Sequence, residues 1–153
     1  MTSMKTIEEF LGLKRIAVVG VSHQQKDFSR VLYRDLIQRG YDAVPVNPGA
    51  AEIEGQRCFA RVQDVAPPVE GALLMTSPRA TDGVVRDCAA AGVKRIWMFR
   101  GAGKGAVSPD AVSFCKANNM SVIPGECPFM FLPGTFIHCF HGLVRKMAGS
   151  YPR

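Results

Sequence analysis

The residues best placed to do chemistry sit just beyond short apolar runs. Gly20-Val21-Ser22 follows the run Arg15 to Val19 and leads, through Lys26, to Ser29 at the start of a helical pattern. A glycine-led turn that opens a helix offers backbone N–H groups and the positive end of a helix dipole to an anion. Lys26 and Ser29 add an ammonium and a hydroxyl, so the chemistry implied is phosphate binding. Other runs end in Val46-Asn47-Pro48, in Thr76-Ser77-Pro78-Arg79, in Arg100-Gly101-Ala102-Gly103 and in Gly125-Glu126-Cys127. Arg79 falls in the first turn of its helix, against the dipole, where an anionic ligand would offset the penalty and plain exposure to water is the alternative.

What is missing narrows the ligand. A dinucleotide fingerprint needs G-x-G-x-x-G, and Gly20-Val21-Ser22-His23-Gln24-Gln25 keeps only its first glycine. A nicotinamide dinucleotide site also asks for a carboxylate after the second strand to accept from the ribose hydroxyls, and Asn47-Pro48 stands there. Nothing at that position repels a phosphate on the adenosine side. No catalytic set emerges: Ser22 and Ser77 have no sequence-placed His and acid, G-x-S-x-G is absent, and Glu126 acts as a base only if a substrate brings it a proton. His138 and His141 flank Cys139 at helical spacing without a third ligand, so no metal site is expected. His23 lies in the first loop, facing either a phosphate or solvent.

These residues need a scaffold that brings strand ends together. Thr6-Ile7-Glu8-Glu9 has capping-box spacing and predicts a short leading helix ending at Gly12. Arg15 to Gly20 reads as a strand buried on both faces. A helix follows, capped by Asp27 or Ser29 and closed by Gly40. Ala43 to Val46 and, after a less regular stretch, Gly71 to Met75 are the next strands. Ser77-Pro78 and Ser108-Pro109 each put a capping hydroxyl before a proline at the first helical position. Arg95 to Met98 and Ser121 to Ile123 complete five principal strands. Strands alternating with helices across short crossovers predict a doubly wound α/β domain with a mainly parallel sheet. In such a sheet the ligand crevice lies beyond the carboxyl ends of the strands, where the residues above gather.

A length of 153 residues with 47% hydrophobic content suits one compact domain, residues 1–153, and contradicts disorder. The formal charge of +6 is spread along the chain rather than concentrated, which speaks against nucleic acid and suits a small polyanion. Five cysteines without a Cys-x-x-Cys pair argue against a disulfide framework or structural zinc and for thiols in a reducing cytoplasm. No export signal or membrane span is read. From Phe129 to Arg153 the chain has no acidic residue, and Phe136, Ile137, Phe140 and Met147 mark one helical face. That extension reads as a helix docking on the sheet, the alternatives being a helix that binds a second copy or a partner protein, or one that lies on a membrane surface.

Gly20-Val21-Ser22 with Lys26 and Ser29, Gly40-Tyr41 before Pro45-Val46-Asn47-Pro48, Glu52-Ile53-Glu54-Gly55, Thr76-Ser77-Pro78, Gly92-Val93-Lys94 before Ile96-Trp97, and Cys127-Pro128 occur in an order that resembles the small stand-alone CoA-binding domains. These are Rossmann-like and related in fold to the CoA-binding domain of the succinyl-CoA synthetase α subunit. The resemblance implies that CoA or an acyl-CoA lies extended over the carboxyl edge. Its phosphates would fall near Ser22, Lys26 and Ser29, its adenosine near Asn47 and Pro48, and its pantetheine arm past Thr76, Pro78 and Gly101, with Arg79 or Arg100 as further counter-charges. It implies a non-catalytic carrier, sensor or regulator, the alternatives being an NAD(P)-type oxidoreductase or a subunit of a larger acyl-CoA enzyme. Phe99 stands where many relatives carry Gln, and the synthetases' phosphohistidine domain has no counterpart. Cys127 is a candidate for a mixed disulfide with the CoA thiol, an inert buried thiol being the alternative.

Overall fold

The computed structural model describes residues 2–133. The predicted tail helix from Thr135 and the residues His138, Cys139 and His141 lie outside them. Helix α1 (Met4–Leu11) precedes strand β1 (Arg15–Val19), α2 (Phe28–Gln38) and β2 (Asp42–Val46). A small hairpin, β3 (Glu52–Ile53) and β4 (Gln56–Arg57), occupies the stretch that looked irregular. Then come β5 (Gly71–Leu74), α3 (Pro78–Ala90), β6 (Arg95–Phe99), α4 (Pro109–Ala117) and β7 (Ser121–Glu126).

The main sheet is wholly parallel, in the order β2-β1-β5-β6-β7, which is the expected doubly wound, Rossmann-like α/β arrangement. Successive strand residues face opposite ways, so two apolar layers form. Ile16, Val18, Leu73, Trp97 and Ile123 pack against Ile7 and Phe10 of α1 and Leu32, Tyr33 and Leu36 of α2. Ala17, Val19, Leu74, Ile96 and Met98 pack against Val85 and Cys88 of α3 and Ala111 and Cys115 of α4. The chain leaves β1 toward β2 and crosses back to β5 on the other side, which opens a crevice between the ends of β1 and β5.

Local signals set most boundaries. Ser77 and Ser108 cap α3 and α4 as expected, accepting from Ala80 N and Ala111 N at 3.3 Å each, with a proline following. Asp27, of the two candidates, caps α2. The first helix begins earlier than expected: Ser3, not Thr6, is its cap and accepts from Thr6 N at 3.2 Å. Starting there gains a turn for the helix while Ile7 and Phe10, three apart, both face the core. Strand β7 runs three residues beyond Ile123, through Pro124, because it is an edge strand that tolerates a missing outward N–H. Pro45 sits on the opposite edge strand, where its carbonyl accepts from Phe59 N at 3.1 Å. The hairpin turns on Glu54 and Gly55, both at positive φ (52° and 74°), the two-residue turn that matches strand twist.

Candidate functional site

Gly20 is the pivot of the carboxyl edge. Its φ is +91°, and a Cβ there would lie 2.7 Å from the Met75 carbonyl oxygen, so a side chain is excluded twice over. Its N–H donates to Val46 O at 2.9 Å, joining the ends of β1 and β2, and Met75 N donates to Val19 O at 2.8 Å, joining the ends of β5 and β1. Val21 is fully buried and reaches the edge only through its backbone; its carbonyl accepts from Asn47 Nδ2 at 2.8 Å. Asn47 Oδ1 in turn accepts from Gly49 N at 2.8 Å.

Ser29 is buried, and its hydroxyl donates to Asp27 Oδ1 at 2.5 Å while accepting from Ser22 N at 2.8 Å. It therefore enters the site as a brace for the turn, its proton committed to a carboxylate. Asp27 also takes Ser29 N at 2.8 Å, so the first turn of α2 already has its negative partner. What remains open to an anion is the turn itself: the N–H groups of His23, Gln25 and Lys26 find no acceptor among the described residues. The Lys26 side chain beside them is exposed.

Behind this turn lies a charge cluster that sequence reading passed over. Arg30, with a side chain only 7% exposed, donates through Nη1 to the carbonyls of Ser22 (3.2 Å) and His23 (3.1 Å). Its Nε and Nη2 donate to Glu54 Oε1 at 3.1 and 2.6 Å. Arg34 donates to the same oxygen at 2.7 Å and to the Gln25 carbonyl. Hydrogen bonds from Arg34 and then Arg30 hold the Glu54 carboxyl below its ordinary titration range. The only signal in the sequence was the motif containing Glu54; nothing paired it with a helix 24 positions away.

Two clefts meet at Thr76. One, of about 300 Å³, is walled by Phe28, Met75, Phe99 and Ala106 with Ser29 and Ser77 at its polar end. The Phe28 ring lies 5.4 Å from that of Phe99 and 5.7 Å from that of Phe129, so Phe99 contributes an apolar wall where a polar contact had been in question. The other, of about 290 Å³ and mainly apolar, lies between Val46, Pro48, Val62, Ala80 and Val84, with the Arg61–Asp87 ion pair (2.9 Å) beside it. Thr76 Oγ1 is 2.7 Å from Thr81 Oγ1, whose hydroxyl lies 2.8 Å from the Ala106 carbonyl, tying the loops after β5 and β6 together.

The residues singled out in the sequence thus share one edge but divide in position. Gly20, Val46, Pro48 and Thr76 line the second cleft, and Ser29, Thr76 and Ser77 the first. Val21, Ser22 and Asn47 build the turn between them. Lys26, Arg79, Arg100 and Gly101 are exposed and line neither, and Pro78 opens α3. Arg100 packs over Gly125, where a Cβ would come within 2.8 Å of its guanidinium. Cys127 is buried in the layer beneath α1 and α2, and burial pushes its thiol up. Among the described residues no group of His, Cys, Asp and Glu is placed to hold a metal ion, and no helix is long and apolar enough to cross a membrane.

A family model described as a CoA binding domain matches residues 14–133. The Bacillus subtilis protein YneT, itself described as uncharacterized, is 25% identical over 114 residues, 74% of this chain and 82% of that one. A hypothetical protein from Pyrococcus horikoshii OT3 superposes with a TM-score of 0.76 at 24% identity, covering 84% of this chain and 87% of the other. An acetyl-coenzyme A synthetase from Ca. Korarchaeum cryptofilum superposes with a TM-score of 0.66 at 28% identity, over 76% of this chain but only 27% of its own.

Proposed function

This chain belongs to the CoA-binding domain family, and on that premise we propose that it binds coenzyme A or an acyl-CoA through the ADP and pyrophosphate portion and serves as a non-catalytic carrier, sensor or regulatory module. The observation that carries the reading is the turn from Gly20 to Lys26, where the N–H groups of His23, Gln25 and Lys26 have no acceptor among the described residues and, with the adjoining ammonium, suit a pyrophosphate. The apolar cleft beside Pro48 suits the adenine ring, with Asn47 and Val46 behind it. The pantetheine arm then runs past Thr76 and Ser77 along the cleft walled by Phe28 and Phe99, with Pro78 and Gly101 at its margins. Arg79 and Arg100 act from the rim as outlying counter-charges, and Ser29 acts through Ser22. Residues 1–153 work as one unit in the cytoplasm, on a small molecule and not on nucleic acid.

Calorimetric titration with CoA, ADP and NAD tests this, together with mass spectrometry of any small molecule released by acid precipitation. CoA and ADP should bind and NAD should not. Absence of both heat and thermal shift with CoA overturns the reading; binding of NAD instead supports an oxidoreductase. A second reading, a subunit of a larger acyl-CoA enzyme, is favoured by the similarity to a quarter of the acetyl-coenzyme A synthetase chain. Gel filtration of extract and pull-down with the tagged chain separate it from a solitary module.

A further inference from the structure

We propose that Glu54 is a positioning residue for the phosphates of the ligand, aiming the backbone donors of the turn through Arg30 and Arg34. The proposal rests on the CoA reading above and deepens it, since it names what holds that site in its binding shape.

The argument begins with the peptide unit. In a trans peptide the carbonyl of one residue and the N–H of the next point in opposite directions. Arg30 holds the carbonyl of Ser22, which turns the N–H of His23 away from the protein. Arg34 holds the carbonyl of Gln25, which does the same for the N–H of Lys26. These are two of the N–H groups that find no acceptor among the described residues. Grasping the carbonyls from behind thus presents a pair of donors in front.

Two guanidinium groups on one side of a helix repel each other, and one of them is almost wholly removed from water. Glu54 resolves both problems with one oxygen, Oε1, which accepts from Arg30 at 3.1 and 2.6 Å and from Arg34 at 2.7 Å. The carboxylate comes from the tip of the β3–β4 hairpin, outside both the turn and the helix. The hairpin therefore locks the turn while standing clear of the two clefts.

The test is calorimetric titration of CoA, ADP and adenosine into the wild-type chain, Glu54→Gln, Arg30→Lys and, as a control for the same charge change on the same hairpin, Glu52→Gln. Glu54→Gln and Arg30→Lys should lose affinity for CoA and for ADP by a common factor of about tenfold or more. Adenosine, which lacks phosphate, should bind all four proteins alike, and Glu52→Gln should match wild type throughout. Amide exchange at Ser22 and Gln24, whose N–H groups donate to the hydroxyls of Ser29 and Ser22, should accelerate in Glu54→Gln without ligand, a readout that stands even if Arg30→Lys fails to fold. Unchanged CoA affinity in Glu54→Gln overturns the inference while leaving the CoA reading intact, as does an equal loss for adenosine. If the wild-type chain binds neither CoA nor ADP, both fall together.

Discussion

The side-chain amide of Asn47 donates to the carbonyl of Val21 at 2.8 Å, joining the loop after the second strand to the turn after the first. The position that in a dinucleotide site would carry a carboxylate here carries an amide whose nitrogen is committed within the protein. Restoring the carboxylate with Asn47→Asp sets an oxygen against the Val21 carbonyl oxygen. The expected cost is about 1–3 kcal/mol of stability, measured by urea denaturation, with weaker CoA binding measured by calorimetry.

Gly20→Ala introduces a Cβ 2.7 Å from a carbonyl oxygen at a φ of +91°. Backbone must move to admit it, at a cost of about 1–3 kcal/mol or more. The urea midpoint should fall accordingly, and the displaced turn should lose CoA affinity in the same variant.

Tyr33 is wholly buried, its hydroxyl oxygen has no partner among the described residues, and burial, with Glu54 next, pushes that phenol up to about 12. A polar atom without a partner costs free energy that its removal returns. Tyr33→Phe should therefore be neutral or stabilising, by up to about 1 kcal/mol, in denaturant titration; a marked loss would mean that the hydroxyl has a partner.

Acid sensitivity has a defined sign. Glu54 is held down by Arg34 and Arg30, and Glu70 by the backbone N–H groups of Arg15 and Lys14. A carboxyl whose folded value lies below its unfolded one contributes its full stabilisation above the unfolded value, near 4.5, and loses it as pH falls through the folded value. Stability should thus drop as pH is lowered below about 4.5. In Glu70→Gln the acid limb should be shallower, as followed by thermal melts across pH 3–6 on the order of half-unit steps.

Cys58, Cys88, Cys115 and Cys127 are all buried, and burial raises every one of these thiols, Cys88 to about 12 and Cys115 to about 11. The thiolate is the reactive form. Brief iodoacetamide treatment of the native protein followed by peptide mapping should modify none of the four, and air-exposed protein incubated with CoA should show no adduct at Cys127.

How much of this was legible in sequence follows the range of each interaction. Ser77-Pro78 and Ser108-Pro109 announced their helices because cap and first turn are neighbours in the chain. The apolar runs announced the strands because burial on both faces leaves no room for alternation. Ser3 displaced Thr6 as the first cap since two hydroxyls compete at that end and only packing of Ile7 and Phe10 decides between them. The residues that follow each strand could be read off as a candidate edge, but its inner wiring could not. Arg30 with Glu54, Asn47 with Val21, and Thr81 with Ala106 are partners brought together only by the fold.

Pro45 and Pro124 lie on the two outermost strands, and the rim beside Pro45 is further occupied by Phe59. Each border of the sheet therefore lacks a hydrogen donor where a neighbouring molecule would need one. With one donor fewer at each border, and Phe59 already bonded beside Pro45, edge-to-edge pairing between copies of this protein through the described strands is weakened.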